Sequence, residues 1–180
     1  MNIITLFPFD GIEFQDKYIK FNSDWRTVEN ILGQPEHRYM DFDIFDFEDI
    51  VDEKGHYKYD YRIEAPIKKN FFEEHNGIRF VYHNNKLCSI EPDNSYYVSY
   101  NDVLLHNKGF EEHKQCKELY TLKEYIKGRK FAVMDLGVIG TRKEGFGFQK
   151  IFSKDEFSKT IELMELLGEI MNKESGNNCG

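Results

Sequence analysis

Two short apolar runs separated by an Asn-Asn pair constrain the fold of this chain more than any other feature. The runs cover residues 78–82 and 87–91, and His83-Asn-Asn-Lys connects them. Asparagine adopts the left-handed backbone of tight turns more readily than most residues, and apolar runs on both sides of such a turn typically form antiparallel strands. The segment therefore predicts a β-hairpin and, with it, an antiparallel sheet.

Further strands are predicted by alternating or aromatic-rich runs between turn residues. Sixteen Phe and eleven Tyr give the chain a high aromatic content, and flat rings suit a half-buried pleated surface. The additional predicted strands are 9–14 with an Asp-Gly turn, a bulged or short edge strand in 39–53, and strands at 57–63, 96–100, 131–139 and 146–152.

Two segments predict helices. Residues 24–32 place apolar side chains at near-helical spacing, Asn22 or Ser23 can cap their start, and Gly33 can end them. A Ser153–Glu156 capping box opens a longer helix. Its predicted apolar face comprises Phe157, Ile161, Met164, Leu167, Ile170 and Met171. Weaker patterns predict helices at about 110–119 and, from a Thr121–Glu124 capping box, up to Gly128.

The order of these elements predicts an α+β fold with antiparallel sheet or sheets and helices packed on one side. A short strand, a helix and antiparallel strands occur twice, which suggests two loosely repeated helix-plus-strands units. The first unit spans 1–98, the second spans 99–173 with a long C-terminal helix, and 174–180 form a disordered tail. The two units are also compatible with one continuous domain.

Parts of the first unit resemble a known family. Leu32-Gly33-Gln34-Pro35 follows the first helix, and 78–90 read apolar-Phe-x-Tyr, turn, Leu-x-x-Ile. These marks are similar to the helix-plus-four-strand unit of the β-lactamase-inhibitor-protein and SmpA-like fold. The resemblance covers about residues 11–98. It implies a protein that binds other proteins, and small acidic proteins of this size include immunity proteins that block a toxin.

Residues 39–53 interleave seven carboxylates with aromatic and aliphatic side chains. Residues 1–55 hold thirteen Asp and Glu against five Lys and Arg, whereas 56–180 hold nineteen of each, so the first third of the chain carries the whole net charge of −8. A segment that is both apolar and negative suits a surface that meets a basic macromolecule. The predicted partner-binding residues are Asp41, Phe42, Asp43, Phe45, Asp46, Phe47, Glu48 and Asp49.

The same run has plainer interpretations. An edge strand can turn its rings inward and its acids toward water, where they discourage aggregation. Asp41 and Asp43 lie on one face of such a strand, which makes a Mg²⁺ or Ca²⁺ site conceivable, although Phe45 breaks the EF-hand pattern. Both interpretations remain open beside the interface hypothesis.

Sets of catalytic or metal-binding residues are weak elsewhere. His113-x-x-Cys116 has zinc-like spacing but lacks a second pair, and a surface histidine beside a buried thiol is the simpler interpretation. Cys88 is expected to be a small core residue, although His75 and His83 flank its hairpin and would permit a Cys/His pair. The glycines near 137–147 precede a strand and not a helix, which disfavours a phosphate-binding loop.

The sequence therefore predicts a non-enzymatic binding protein with no catalytic residue, metal or cofactor. Its expected partner is a basic toxin domain, such as a nuclease, which it neutralises through the acidic run. A pI near 5.3 disfavours direct contact with nucleic acid. The absence of a secretory pattern or a long apolar run predicts a cytoplasmic protein without membrane contact. The alternatives are a metal-dependent enzyme with a hidden cleft and a homodimeric interaction module.

Overall fold

A computed structural model describes residues 2–40, 70–93, 95–104, 122–126, 130–143 and 146–177. These residues form thirteen strands and two helices. The strands are β1 Asn2–Phe7, β2 Gly11–Phe14, β3 Lys17–Lys20, β4 His37–Met40, β5 Phe71–His75, β6 Ile78–His83, β7 Lys86–Pro92, β8 Tyr96–Tyr100, β9 Val103–Leu104, β10 Leu122–Ile126, β11 Lys130–Val133, β12 Val138–Lys143 and β13 Phe146–Phe152. The helices are α1 Trp25–Leu32 and α2 Lys154–Asn177.

The strands form two sheets and confirm the predicted α+β class with antiparallel sheets. The smaller sheet has the order β3-β2-β1-β8-β9. Within it β1 pairs antiparallel with β2 and parallel with β8, so that Ile4 lies between Phe14 and Val98. The larger sheet has the order β10-β11-β12-β13-β7-β6-β5-β4, and all of its described pairings are antiparallel.

Strands from the two predicted units meet in the larger sheet. Ile151 of β13 pairs with Ile90 of β7, and Phe152 pairs with Ser89. This pairing joins the strands that precede residue 98 to those that follow residue 120. The segments 1–98 and 99–173 therefore contribute to one continuous sheet.

The predicted hairpin at the Asn-Asn turn is confirmed. Asn84 and Asn85 have φ of 51° and 60° between β6 and β7. Asn101 and Asp102 repeat this geometry between β8 and β9, with φ of 47° and 61°. Two successive left-handed residues produce a turn whose twist matches that of the adjoining strands. Local residue type thus sets both strand connections.

The main hydrophobic core lies between the two sheets. It contains fully buried residues from both, including Ile4, Val98, Phe80 and Ile90, together with Val28 of α1. A second cluster joins Ala132, Ile139 and Phe152 of the larger sheet to the first half of α2. The α2 residues of this cluster are Phe157, Ile161 and Met164.

The two clusters lie on opposite faces of the larger sheet. Val138 belongs to the main core and the next residue, Ile139, to the second cluster, and successive strand residues point to opposite faces. The packing of the helices on one side stays a prediction: α2 lies on the face that carries the second cluster, and Val28 of α1 belongs to the main core.

Helix α1 occupies the predicted position, but its cap differs. Asp24 is the N-cap, and its Oδ1 accepts a hydrogen bond of 2.9 Å from the Thr27 backbone N–H. The prediction of Asn22 or Ser23 was wrong because the helix begins at Trp25, which makes Asp24 the residue directly before it, while the backbone of Asn22 and Ser23 pairs with Leu87. The Asn22 N–H donates to the Leu87 carbonyl, and the Ser23 carbonyl accepts from the Leu87 N–H. Gly33 ends the helix with φ of 90°, and its N–H donates to the Glu29 carbonyl.

Helix α2 is longer than predicted and buries less of its apolar face. It continues to Asn177, so 174–177 are helical and not part of a disordered tail, because helix propagation adds one backbone hydrogen bond for each residue. Its first half packs on the larger sheet, whereas Leu167 and Ile170 are exposed among the described residues. The predicted apolar face is therefore correct up to Met164.

Two predictions near residue 130 were wrong. Residues 122–126 form strand β10 and not a capped helix, because Lys123 and Glu124 pair with Ala132 and Phe131 of β11. The predicted strand 131–139 is two strands, since the chain turns at residues 134–137, where Gly137 has φ of 67°. Tertiary pairing overrides the local helix signal in the first case.

Several predictions fall outside the described residues. They are the strand at 57–63, the helix at about 110–119, the His113–Cys116 pair and the end of the tail at 178–180. The repeat of a helix-plus-strands unit stays a prediction, because its second helix belongs to this group.

Candidate functional site

The predicted partner-binding run follows directly after β4. All of its named residues, from Asp41 to Asp49, lie outside the described residues. Strand β4 is the outermost strand of the larger sheet as described, and it pairs with β5 through residues 37–40. The structure therefore fixes the point from which the acidic run departs.

A buried ionic network holds β4 in place. The Arg38 Nε lies 2.8 Å from the Glu73 Oε1, and the Arg38 guanidinium also contacts Glu29 of α1. The Arg38 side chain is 4% exposed and that of Glu73 is 0% exposed. The guanidinium carbon sits 4.9 Å from the centre of the Trp25 ring, a cation–π contact. One side chain of β4 thus connects α1, β5 and the core.

The Glu73 carboxylate has further partners on the core side. Its Oε2 lies 3.4 Å from the His75 Nε2 and 3.5 Å from the Tyr82 hydroxyl. Burial and the Glu73 charge raise the pKa of Tyr82 well above its usual value, so the phenol keeps its proton as a donor. Because Glu73 is fully buried, a substrate in solvent cannot reach it. We assign this network a structural role.

His75 therefore belongs to the network and does not approach Cys88. The structure does bring His83 and Cys88 together, and it adds Glu156. One ligand atom from each of the three residues lies within 4.8 Å of the others, and the His83 Nδ1 is 3.4 Å from the Glu156 Oε2. We call this group the His-Cys-Glu cluster.

Three elements build the His-Cys-Glu cluster. His83 ends β6 beside the Asn-Asn turn, Cys88 lies in β7, and Glu156 lies in the first turn of α2. The register of β6 and β7 shifts between Val81, which pairs with Ser89, and Tyr82, which pairs with Leu87. Cys88 is thus the extra residue of a β-bulge, a feature that re-aims a side chain.

The start of α2 explains the position of Glu156. In a full capping box the Glu156 side chain would accept a hydrogen bond from the Ser153 N–H. Here that N–H donates instead to the Cys88 carbonyl, at 2.8 Å. Only half of the predicted box forms, through the Glu156 N–H and the Ser153 Oγ at 3.4 Å. The Glu156 carboxylate is therefore available to His83.

Cys88 is buried, as the sequence predicts. Its side chain is held by a weak Sγ–H donation to the Val81 carbonyl at 3.4 Å. Burial, and then the nearby Glu156 carboxylate, raise the pKa of the Cys88 thiol to about 12. A thiol that stays protonated is a poor nucleophile, which disfavours the Cys/His nucleophilic pair.

A shallow groove of about 370 Å³ lies on the outer face of the larger sheet. Four of its charges are paired, since Arg79 lies 3.0 Å from Glu74 and Lys150 lies 2.8 Å from Glu91. With Asp93, the lining holds three carboxylates against two bases. The lining residues are Glu74, Gly77, Arg79, Glu91, Pro92, Asp93 and Lys150.

Sequence reasoning missed Arg38, Glu73 and Glu156 as members of buried or clustered sites. Arg38 and Glu73 are 35 positions apart, and no local pattern connects them. The sequence carries no usable signal for Glu73 either, because Phe71-Phe72-Glu73-Glu74-His75 shows no apolar alternation and the buried phase of β5 is visible only in the structure.

Comparisons with known proteins leave the family open. No protein-family model matches this chain, and neither the curated proteins nor the solved structures gave a match. Neither described helix combines the length and the apolar character that a membrane span requires.

Proposed function

We propose that this protein is an immunity or inhibitor protein that binds a basic toxin domain, such as a nuclease, in the cytoplasm. The observation that carries the proposal is the concentration of the net charge of −8 in residues 1–55, within which 39–53 add aromatic side chains to seven carboxylates. Charge of one sign attracts the partner and speeds association, and aromatic side chains supply affinity once it has docked.

The ionic network supports the proposal by explaining how the acidic run is presented. Removing Arg38 and Glu73 from water costs free energy, which the close 2.8 Å contact offsets. Such a pair favours one arrangement of β4 over others. Since Met40 immediately precedes Asp41, the run departs from a fixed strand end.

The resemblance to a known fold also supports a protein-binding function. The helix ending at Gly33 and the β6–β7 hairpin, which carry the resemblance to the β-lactamase-inhibitor-protein and SmpA-like fold, are both present. Proteins of that fold mostly bind other proteins, which favours binding over catalysis here.

The test is a charge reversal with a matched control. The variant carries Asp43→Lys, Asp46→Lys and Asp49→Lys together. The control reverses three exposed acids of α2, Asp155, Glu162 and Glu169, so both proteins undergo the same change in net charge.

Each protein is immobilised and exposed to lysate of the source cell, and captured proteins are identified by mass spectrometry. Association rates of the captured basic protein are then measured at low and high salt. We expect the first variant to associate at least about tenfold more slowly at low salt, and the control to stay close to wild type. Equal rates for the two variants would refute the role of the acidic run.

A second candidate function is a homodimeric interaction module, favoured by one face of α2. Leu163, Leu166, Leu167 and Ile170 are between 42% and 55% exposed in the described structure. Their spacing matches that of helices that pair in solution. Light scattering coupled to size exclusion tests this function: a dimer that Leu166→Glu converts to a monomer supports it, and a monomeric wild type excludes it.

A further inference from the structure

We propose that the His-Cys-Glu cluster is a binding site for Zn²⁺, in which the His83 Nδ1, the Cys88 Sγ and a Glu156 carboxylate oxygen are the ligands. The proposal is independent of the toxin-binding function. It starts from the only group of three or more potential ligands that comes together among the described residues.

The distances suit a zinc ion. Ligands of tetrahedral zinc lie about 2.0–2.3 Å from the metal, which places ligand atoms about 3.3–3.8 Å from each other. The His83 Nδ1 and the Glu156 Oε2 already lie 3.4 Å apart, and no ligand pair in the cluster exceeds 4.8 Å. Side-chain rotations that shorten the widest ligand pair from at most 4.8 Å to tetrahedral spacing would complete three positions of a tetrahedron.

The chemistry of the ligands selects the metal. One sulfur, one nitrogen and one oxygen form a mixed set that zinc accepts, whereas Mg²⁺ and Ca²⁺ require oxygen ligands. Binding breaks the Cys88 S–H bond, the sulfur keeps the electron pair and donates it to the metal, and the proton passes to the buffer. No redox step is involved.

The surroundings of the cluster match a metal site better than a chance contact. The bulge in β7 turns Cys88 out of the regular strand alternation, and the Cys88 carbonyl anchors the start of α2 through the Ser153 N–H. Cys88 is 7% exposed, while His83 is partly exposed and gives the ion a path from solvent. Three protein ligands leave a fourth position for water.

The first experiment titrates metal-free protein with Zn²⁺ by calorimetry. We expect one ion per chain in the wild type. Affinity should fall by about 100-fold or more in Cys88→Ser and in His83→Ala, because losing a ligand costs at least as much as losing a residue that supports one. Glu156→Gln should also weaken binding, whereas Glu162→Gln, an exposed change on the same helix, should leave it unchanged.

The second experiment replaces zinc with Co²⁺ and records the thiolate-to-cobalt charge-transfer absorption. We expect this band in the wild type and in a Cys116→Ala/Cys179→Ala variant, which assigns the thiolate to Cys88. Thermal melts without metal check that the variants fold. If Cys88→Ser does not fold, the zinc affinity of His83→Ala tests the proposal instead, since the His83 side chain is partly exposed.

The proposal is overturned by any of three results. These are the absence of zinc binding in the wild type, full affinity in a folded His83→Ala variant, and a cobalt band that survives in Cys88→Ser. In each case the cluster is an ordinary His83–Glu156 surface pair beside a buried thiol. None of these results bears on the acidic run, so the two proposals fail separately.

Discussion

Replacing Arg38 with methionine removes the guanidinium that contacts the buried Glu73 carboxylate. Methionine keeps the length and apolar character of the arginine stem, so the change acts mainly on the charge. Glu73 then remains at 0% exposure with its 2.8 Å partner removed. The variant therefore measures the cost of an uncompensated buried carboxylate.

Loss of one member of a buried ion pair costs about 3–5 kcal/mol of unfolding free energy. We expect the lower end of this range, about 3 kcal/mol, because His75 and Tyr82 still lie 3.4 Å and 3.5 Å from the Glu73 Oε2. For a chain of this size the corresponding drop in melting temperature is about 6–12 °C.

Urea unfolding followed by fluorescence measures the change. Trp25 is the single tryptophan of the chain and lies against Arg38, so its emission reports on this site. Arg26→Met is the matched control, because Arg26 also stacks on Trp25, at 5.1 Å, but is exposed. We expect the control to cost less than about 0.5 kcal/mol.

A double variant separates the charge effect from packing. Arg38→Met combined with Glu73→Gln leaves a neutral acceptor for His75 and Tyr82. It should recover at least about 1 kcal/mol relative to Arg38→Met alone, since residues in contact are coupled by about 0.5–3 kcal/mol. If Arg38→Met costs less than about 1 kcal/mol, or if Glu73→Gln recovers nothing, the network does not hold β4 as argued.

Three further predictions follow from other sites. In the folded chain, burial and the Glu73 charge raise the pKa of Glu29 above its ordinary value of 4.5. As pH rises past 4.5, the unfolded chain loses this proton before the folded chain does, so the free energy of unfolding falls. The unfolding free energy of Glu29→Gln should therefore rise relative to that of the wild type as pH increases from 4 to 7. A difference between the two proteins that does not change with pH would contradict this. A Cβ at Gly140 would lie 2.1 Å from the Phe131 ring, so Gly140→Ala should cost about 1–3 kcal/mol in urea unfolding, and an added Phe131→Leu should recover part of it. With a chelator present, peptide mapping should show alkylation of Cys88 near pH 8 slowed by at least about tenfold relative to the unfolded chain, because burial raises the pKa of the thiol to about 12.

Sequence patterns predicted the elements whose cause is local. The β6–β7 hairpin needs only two left-handed asparagines between apolar runs, and α1 needs only a nearby cap and Gly33. The capping-box signal at Thr121 failed because the backbone of β10 pairs with β11, a contact that local propensity cannot register.

The site was harder to predict than the fold because its members are distant in sequence. Cys88 and His83 were visible as a pair across one hairpin, but Glu156 reaches them only from the first turn of α2. This position depends on a tertiary contact, the hydrogen bond that the Ser153 N–H donates to the Cys88 carbonyl. The acidic run, by contrast, was found from charge alone, which requires no knowledge of the fold.

The parallel pairing of β1 with β8 has a consequence for biosynthesis. Asn2 aligns with Tyr96, so a nascent chain that has not yet reached Tyr96 carries β1 with one unpaired side. Unpaired strand edges template intermolecular association, and long-range parallel contacts form slowly. We therefore expect ribosome-bound intermediates of this protein to need protection by chaperones until the eighth strand has emerged.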